Sequence, residues 1–251
     1  MIRNSFIFLE RVKEGIEEGL WNQGIFDWDS FLNANSIKGV SRPRKLYYDR
    51  KIKEARSALY NNDSVYFKKI LPQVEYHRIY DFFKEDTVFL DIETTGLSPQ
   101  YSDITMVGLF DGINTKMMIN GINLDPKHLK EELKKYKMMV TFNGAAFDLP
   151  FIEKIYPGTL PNIPNLDLRY TTAKLGMTGG LKKIEKILGI ERRKMIGDFT
   201  GGDAVTLWRR YKATGDDHYL NLLIEYNEED IINLKKIAEH CVKQLHPLRV
   251  Y

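Results

Sequence analysis

Asp91 and Glu93 stand two residues apart in the run Thr87-Val-Phe-Leu-Asp-Ile-Glu-Thr-Thr-Gly-Leu97. Four apolar or β-branched residues lead straight into two carboxylates and a turn, the pattern of a buried strand that delivers charge to one edge of a sheet. Side chains alternate along a strand, so both carboxylates project to the same side. Such a pair repels itself unless one member is protonated, a cationic side chain lies between them, or hard cations do. No Lys or Arg occurs between Leu90 and Pro99, which favours a metal. The other reading of an Asp-x-Glu taken alone is the start of a solvated loop.

Further carboxylates lie downstream. Asp148 occurs in Thr141-Phe-Asn-Gly-Ala-Ala-Phe-Asp-Leu-Pro-Phe151, and Tyr226-Asn-Glu-Glu-Asp230 falls within a helical pattern. Leu223, Asp230, Leu234, Ile237 and Cys241 form a core-facing stripe, with Tyr226 one turn before Asp230. An aspartate in such a stripe needs a partner, whereas Glu225, Glu228 and Glu229 point elsewhere and read as surface charge. Asp148 has a second reading as a helix N-cap, which would make Asp167 the next candidate carboxylate. Four converging carboxylates suit phosphodiester hydrolysis with two divalent ions about 3.5–4 Å apart. Oxygen-only ligands suit Mg2+, and Mn2+ resembles it. A phenol with a pKa of about 10 stays protonated at neutral pH. Tyr226 would therefore orient the attacking water rather than act as a base, or else it packs its ring and ties off its hydroxyl.

The order Asp-x-Glu, Phe-Asn-Gly-x-x-Phe-Asp, Tyr-x-x-x-Asp resembles the DEDD superfamily of 3′-to-5′ exonucleases, in the branch whose last motif carries tyrosine. The likeness covers about residues 86 to 241, and it favours Asp148 over Asp167 as the third carboxylate. It implies a ribonuclease H-like α/β fold, a mixed β-sheet flanked by helices, with a strand ending near Asn143 parallel to and beside the first. Asp91 would bridge both ions, Glu93 and Asp230 would complete one, and Asp148 would act chiefly through coordinated water. Thr94, Thr95 and Leu97 would hold the terminal nucleotide, with Asn143 and Phe147 near its other side. The activity implied is metal-dependent 3′-to-5′ hydrolysis of single-stranded DNA. Alternatives are single-stranded RNA as substrate, a catalytically silent nucleic-acid-binding domain, and an endonuclease of the ribonuclease H type. Gly180-Leu-Lys-Lys-Ile-Glu and Gly202-Asp-Ala-Val-x-Leu-Trp208, with the Leu-Trp-x-x-Gly-Ile of the N-terminal region, extend the similarity to the YprB-like prokaryotic group.

With 251 residues, 43% hydrophobic and 12% aromatic, the chain can fill a sizeable core. No run of about 18 apolar residues suggests a membrane span. The start of the chain is too short in apolar residues for a secretory signal, so the cytoplasm is the expected location. The single cysteine, Cys241, excludes an intrachain disulfide and a cysteine-based zinc cluster. A net charge of +3 permits a nucleic-acid partner without demanding one.

Residues 1–82 read as a helical N-terminal region and 83–251 as the domain that carries the site. Helical spacing from Leu9 to Leu32, broken at Gly24, resembles a degenerate helix-hairpin-helix. Glu10-Arg-Val-Lys13 replaces its glycine-rich turn, so the hairpin could bind phosphate or merely pack. From Ser41 to Lys69 basic and aromatic residues interleave, as in a nucleic-acid surface or an ordinary amphipathic helix. Strands are expected at Thr87–Ile92, Ile104–Phe110, Thr115–Ile119 and Met138–Phe142, with a short one at Asn165–Leu168. Helices are expected at Pro126–Tyr136, near Asp148, and at Leu181–Leu188, Asp203–Lys212 and His218–Val242. Lys182, Lys183, Arg192, Arg193 and Lys194 could track phosphates or be plain surface cations.

Overall fold

A computed structural model describes residues 1–193 and 201–246. The Lys194 expectation lies outside the described residues. Five helices come first: α1 (Glu14–Trp21), α2 (Trp28–Asn33), α3 (Arg42–Tyr60), α4 (Ser64–Ile70) and α5 (His77–Phe83). The sheet is built from β1 (Thr87–Thr94), β2 (Ile104–Phe110), β3 (Thr115–Ile119), β4 (Met138–Thr141) and β5 (Asn165–Asp167). Helices α6 (Pro126–Leu133) and α7 (Asp148–Ile155) flank β4, and α8 (Leu168–Lys174), α9 (Leu181–Leu188), α10 (Gly201–Thr214) and α11 (Asp217–Gln244) follow β5.

Strand order is β3-β2-β1-β4-β5. The first three strands form an antiparallel meander, while β4 runs parallel to β1 and β5 parallel to β4. This is the mixed sheet that the motifs implied, and the first and fourth strands are neighbours.

Alternation along β1 sorts its residues between two layers. Val88, Leu90 and Ile92 pack with Leu129, Leu133, Phe151 and Ile152 of α6 and α7. Phe89 faces the other way, into a core with Ile231, Leu234 and Ile237 of α11. Asp91 and Glu93 share Phe89's parity, so the layer that holds α11 is the one that receives the carboxylates. The register between β1 and β2 shifts between Glu93 and Thr94, a bulge that ends the regular ladder at the charged edge.

The N-terminal helices join this second layer. Phe6, Leu9, Trp28, Phe31 and Ile52 belong to the same buried cluster as Phe83, Phe89 and the α11 residues, so one core runs across residues 82 and 83. A buried ionic joint reinforces it. Glu17, 1% exposed, accepts from the N–H groups of Phe6 and Ile7 and from Ser5 Oγ, and pairs with Arg78 Nη1 at 2.8 Å. Arg78 Nε reaches Glu75 at 2.6 Å, and Glu75 also takes Lys174 of α8.

One expectation needs correction, and one open reading is narrowed. The helix expected from Leu9 begins only at Glu14, because Arg11 adopts left-handed φ of 67° and the preceding residues form turns. In the basic-aromatic stretch, Tyr48 and Phe67 are core residues, and Lys45 is buried on Asp49 and above the Phe31 ring. Arg42, Arg44, Lys53 and Arg56 remain on the exposed side of α3.

Cutting the ionic joint at Arg78 leaves Glu17 buried without its cation and Glu75 with Lys174 alone. Arg78→Met should therefore lower the unfolding free energy by about 3–5 kcal/mol, read as an earlier urea midpoint. A change within error would show that the joint contributes nothing to holding the N-terminal helices in place.

Candidate active site

Asp91 and Glu93 end β1, and α11 crosses the sheet above them, bringing Tyr226 and Asp230 one turn apart onto the same point. One carboxylate oxygen from each of Asp91, Glu93 and Asp230 lies within 4.8 Å of the others. Asp148, the first residue of α7, is 4% exposed, and its Oδ1 accepts from Ile92 N at 3.1 Å, so it abuts β1 between the other two carboxylates of that strand. It is the first residue of α7 and not its N-cap, the position that Phe147 takes. Its rival Asp167 is committed elsewhere, for its carboxylate accepts from the N–H groups of Asn143, Ala145 and Arg169. Asp167 clamps the turn that carries the Asn143-Gly144 pair.

That turn explains its own sequence. Asn143 sits at left-handed φ of 64°, and a Cβ on Gly144 would come 2.4 Å from the Thr141 side chain. Asn143 Oδ1 takes a hydrogen bond from Arg169 Nη1 at 2.7 Å. The motif is thus a backbone device that swings the chain from β4 into α7 and sets Asp148 against β1.

Enclosure governs the electrostatics. Burial, then the neighbouring Asp148, Asp230 and Glu93 charges, push the Asp91 carboxyl well above the usual range. Glu93 rises for the same reasons, burial first and Asp230 next. Burial raises Asp148 to about 7 and Asp230 to about 6, in the latter case against the pull of Arg192. Burial also raises the Tyr226 phenol, which stays protonated and can donate a hydrogen bond.

A cavity of about 410 Å³ opens over the carboxylates. Thr94, Gly96, Leu97, Phe142, Asn143 and Phe147 line one side, and Gly201, Gly202 and Val205 at the start of α10 line the other. Of the residues expected to hold a terminal nucleotide, Thr94, Leu97, Asn143 and Phe147 are in this lining. Thr95 is not: it exchanges hydrogen bonds with Asp103 through its N–H and its hydroxyl, closing the loop behind the rim.

Several readings of charge along the sequence are overturned. Arg192 is neither a surface cation nor free to track phosphate, because its side chain is 5% exposed and bound to Glu185 and Asp230. Lys182 Nζ lies 5.1 Å above the Tyr226 ring. Glu229 is buried and accepts from Arg193 N at 2.8 Å, and Glu228 accepts from Thr115 Oγ1. Lys183 and the Arg193 side chain are exposed, as expected.

Asn227 was missed. It is fully buried and donates through Nδ2 to Asp91 Oδ2 at 2.8 Å. It lies four residues after Leu223 and three before Asp230, on the stripe that marks the inner face of α11, and a polar residue there was the available signal. Its space is supplied by Gly108, the partner of Asp91 across β1 and β2. A Cβ at Gly108 would fall 1.9 Å from Asn227 Oδ1.

Residues 88–242 match the RNase_H_2 family of the RNase H superfamily. The match spans more than half of the chain, and the chain belongs to that superfamily. Fold, family and acidic edge together define a nuclease. A family B DNA polymerase from Pyrobaculum calidifontis superposes with a TM-score of 0.50 and 15% identity over 61% of the chain, which spans only 24% of the polymerase. Brucella melitensis NrnC with bound Mg2+ gives a TM-score of 0.45, 21% identity and coverage of 66% of this chain and 77% of that one. Escherichia coli RNase D, described as an exoribonuclease involved in structured RNA processing, gives 0.44, 17%, 68% and 46% in the same order. No curated protein sequence matches the chain. Among the described residues, no helix is long and apolar enough to cross a membrane.

Two outcomes follow from this geometry. Gly108→Ala forces Asn227 off Asp91 and overpacks the β2–α11 contact, so it should cost about 1–3 kcal/mol in urea unfolding. Wild-type stability in that variant would mean that Asn227 has another place to go. The second concerns pH. Carboxyls whose pKa is raised by folding bind more protons folded than unfolded, so they subtract stability as pH rises through about 4 to 7. A divalent ion that takes the deprotonated cluster removes that penalty. The rise in melting temperature on adding Mg2+ or Mn2+ should accordingly grow from about pH 5 to about pH 8. A rise that is the same across that range would contradict a cation bound by these four groups.

Proposed function

We propose that the protein is a metal-dependent 3′-to-5′ exonuclease acting on single strands of DNA. The observation that carries this reading is the convergence of Asp91, Glu93 and Asp230 on one point beneath a small cavity, with protonated Tyr226 beside them.

The donor set is all oxygen, mutually repelling and enclosed, which fits hard divalent cations such as Mg2+ or Mn2+. Asp91, Glu93 and Asp230 would hold them, with Asp148 at the margin, close enough to act through water. Divalent ions there supply the positive charge that phosphodiester hydrolysis needs at the scissile phosphate.

The chain's own groups do the rest. Tyr226 keeps its proton and directs the attacking water by a hydrogen bond rather than by accepting its proton. Asn227 fixes Asp91 in one orientation. Leu97, Phe142, Phe147 and Val205 offer apolar surface to the terminal base and sugar, while Thr94 and Asn143 lie within the same lining. A cavity of about 410 Å³ has room for a terminal nucleotide. The phosphodiester chemistry is the same on RNA, so both polymers belong in the assay.

With 5′-labelled single strands and Mg2+ or Mn2+, the wild type should give a ladder shortening from the 3′ end, abolished by EDTA and by Asp91→Ala. Tyr226→Phe should slow cleavage by about 10²-fold while leaving metal binding intact. Digestion of RNA alone would change the substrate and keep the mechanism. A folded, metal-loaded wild type that cuts neither polymer, or that cuts closed circular single strands, would overturn the proposal.

A further inference from the structure

Among the described residues, Asp230 is the one carboxylate of the cluster with an ion-pair partner, and that partner is itself held in place. Helix α9 ends at Gly189 in left-handed conformation, φ 66°, with Ile190 N returning to Glu185 O. The reversal brings Arg192 back alongside Glu185. Arg192 Nε and Nη2 meet the two oxygens of Glu185 at 2.7 and 2.8 Å, and Asn233 of α11 donates to Glu185 Oε1 at 2.9 Å. The same Nη2 also donates to Asp230 Oδ1. Arg193 N is tied to Glu229, so the segment is fastened to α11 at two successive residues, Glu229 and Asp230.

This arrangement is costly as a means of stability alone. Replacing a buried ion pair by apolar side chains of similar volume is often neutral or stabilising. What the pair adds is a fixed donor on one oxygen of Asp230, which restrains rotation of a carboxylate that has an oxygen within 4.8 Å of one from each of Asp91 and Glu93. Glu185 and Arg192 cancel each other's charge, so the pair orients Asp230 without adding net charge against an incoming dication.

We propose that Arg192, anchored by Glu185, is a positioning residue that holds Asp230 in the orientation required to bind the divalent ion. The inference rests on the metal-dependent reading of the site given above. Outer partners of metal ligands typically contribute 10- to 100-fold in metal affinity.

The decisive variant is E185M/R192M, which deletes the pair without changing net charge. Mn2+ binding would be measured by electron paramagnetic resonance titration of wild type, E185M/R192M and R192K, without substrate and at a temperature where circular dichroism shows each folded. The double variant should bind Mn2+ about 10-fold more weakly. R192K, which keeps a donor and a charge near Asp230, should recover part of that loss. A purely structural pair would lower the melting temperature and leave affinity in the folded protein unchanged, and that result, or tighter binding, would overturn the inference. If the double variant does not fold, E185Q/R192Q takes its place, with the same weakening expected and the same overturning results. Failure of the wild type to bind Mn2+ would instead sink the metal-dependent reading itself.

Discussion

Mutual repulsion among enclosed carboxylates is the constraint to which the rest of the structure answers. Asp91, Glu93, Asp148 and Asp230 would each be more stable apart and in water, since burial and like charge both disfavour their ionised forms. Holding them together is the work of the surrounding fold. β1 supplies two through the parity of a strand, α7 docks a third onto the β1 backbone, and α11 delivers the fourth from the opposite layer. Three of the four are then tied by a hydrogen bond from a neighbouring group: Asn227 to Asp91, Ile92 N to Asp148, Arg192 to Asp230.

Backbone devices carry much of this load. The Asn143-Gly144 turn is drawn tight by Asp167, an aspartate that sequence spacing made a rival ligand and that the fold uses as a staple. Gly108 gives up its side chain so that Asn227 can reach across β2 to β1. In both places an acidic or small residue near the site serves geometry and not chemistry. Residue type alone therefore separates ligands from scaffolding poorly here, and the hydrogen-bond inventory of each carboxylate separates them well.

Legibility in the sequence followed the strength of local periodicity. β1, β2 and α11 were readable because alternating and helical patterns are strong there, and the pairing of Asp91 with Glu93 and of Tyr226 with Asp230 follows directly from those periods. The helix expected from Leu9 was misread because Arg11 breaks it through a backbone angle that residue type does not announce. Arg192 passed for a surface cation because its partners lie 7 and 38 residues away and only the folded chain brings them together. Glu229 failed for the same reason, its partner being the backbone N–H of Arg193. Asn227 was within reach, since it falls on the stripe that already contained Asp230.

Helix α11 touches the carboxylates with its first half and the N-terminal helices with its second. Ile231, Leu234, Ile237, Ala238 and Cys241 lie in the same cluster as Phe6, Trp28, Phe31 and Ile52. A single rigid rod is thus seated at two ends by different parts of the chain, and its tilt is the compromise between them. The N-terminal helices and the acidic edge, far apart in sequence, therefore rest on one helix, and neither can be removed without unseating one end of it.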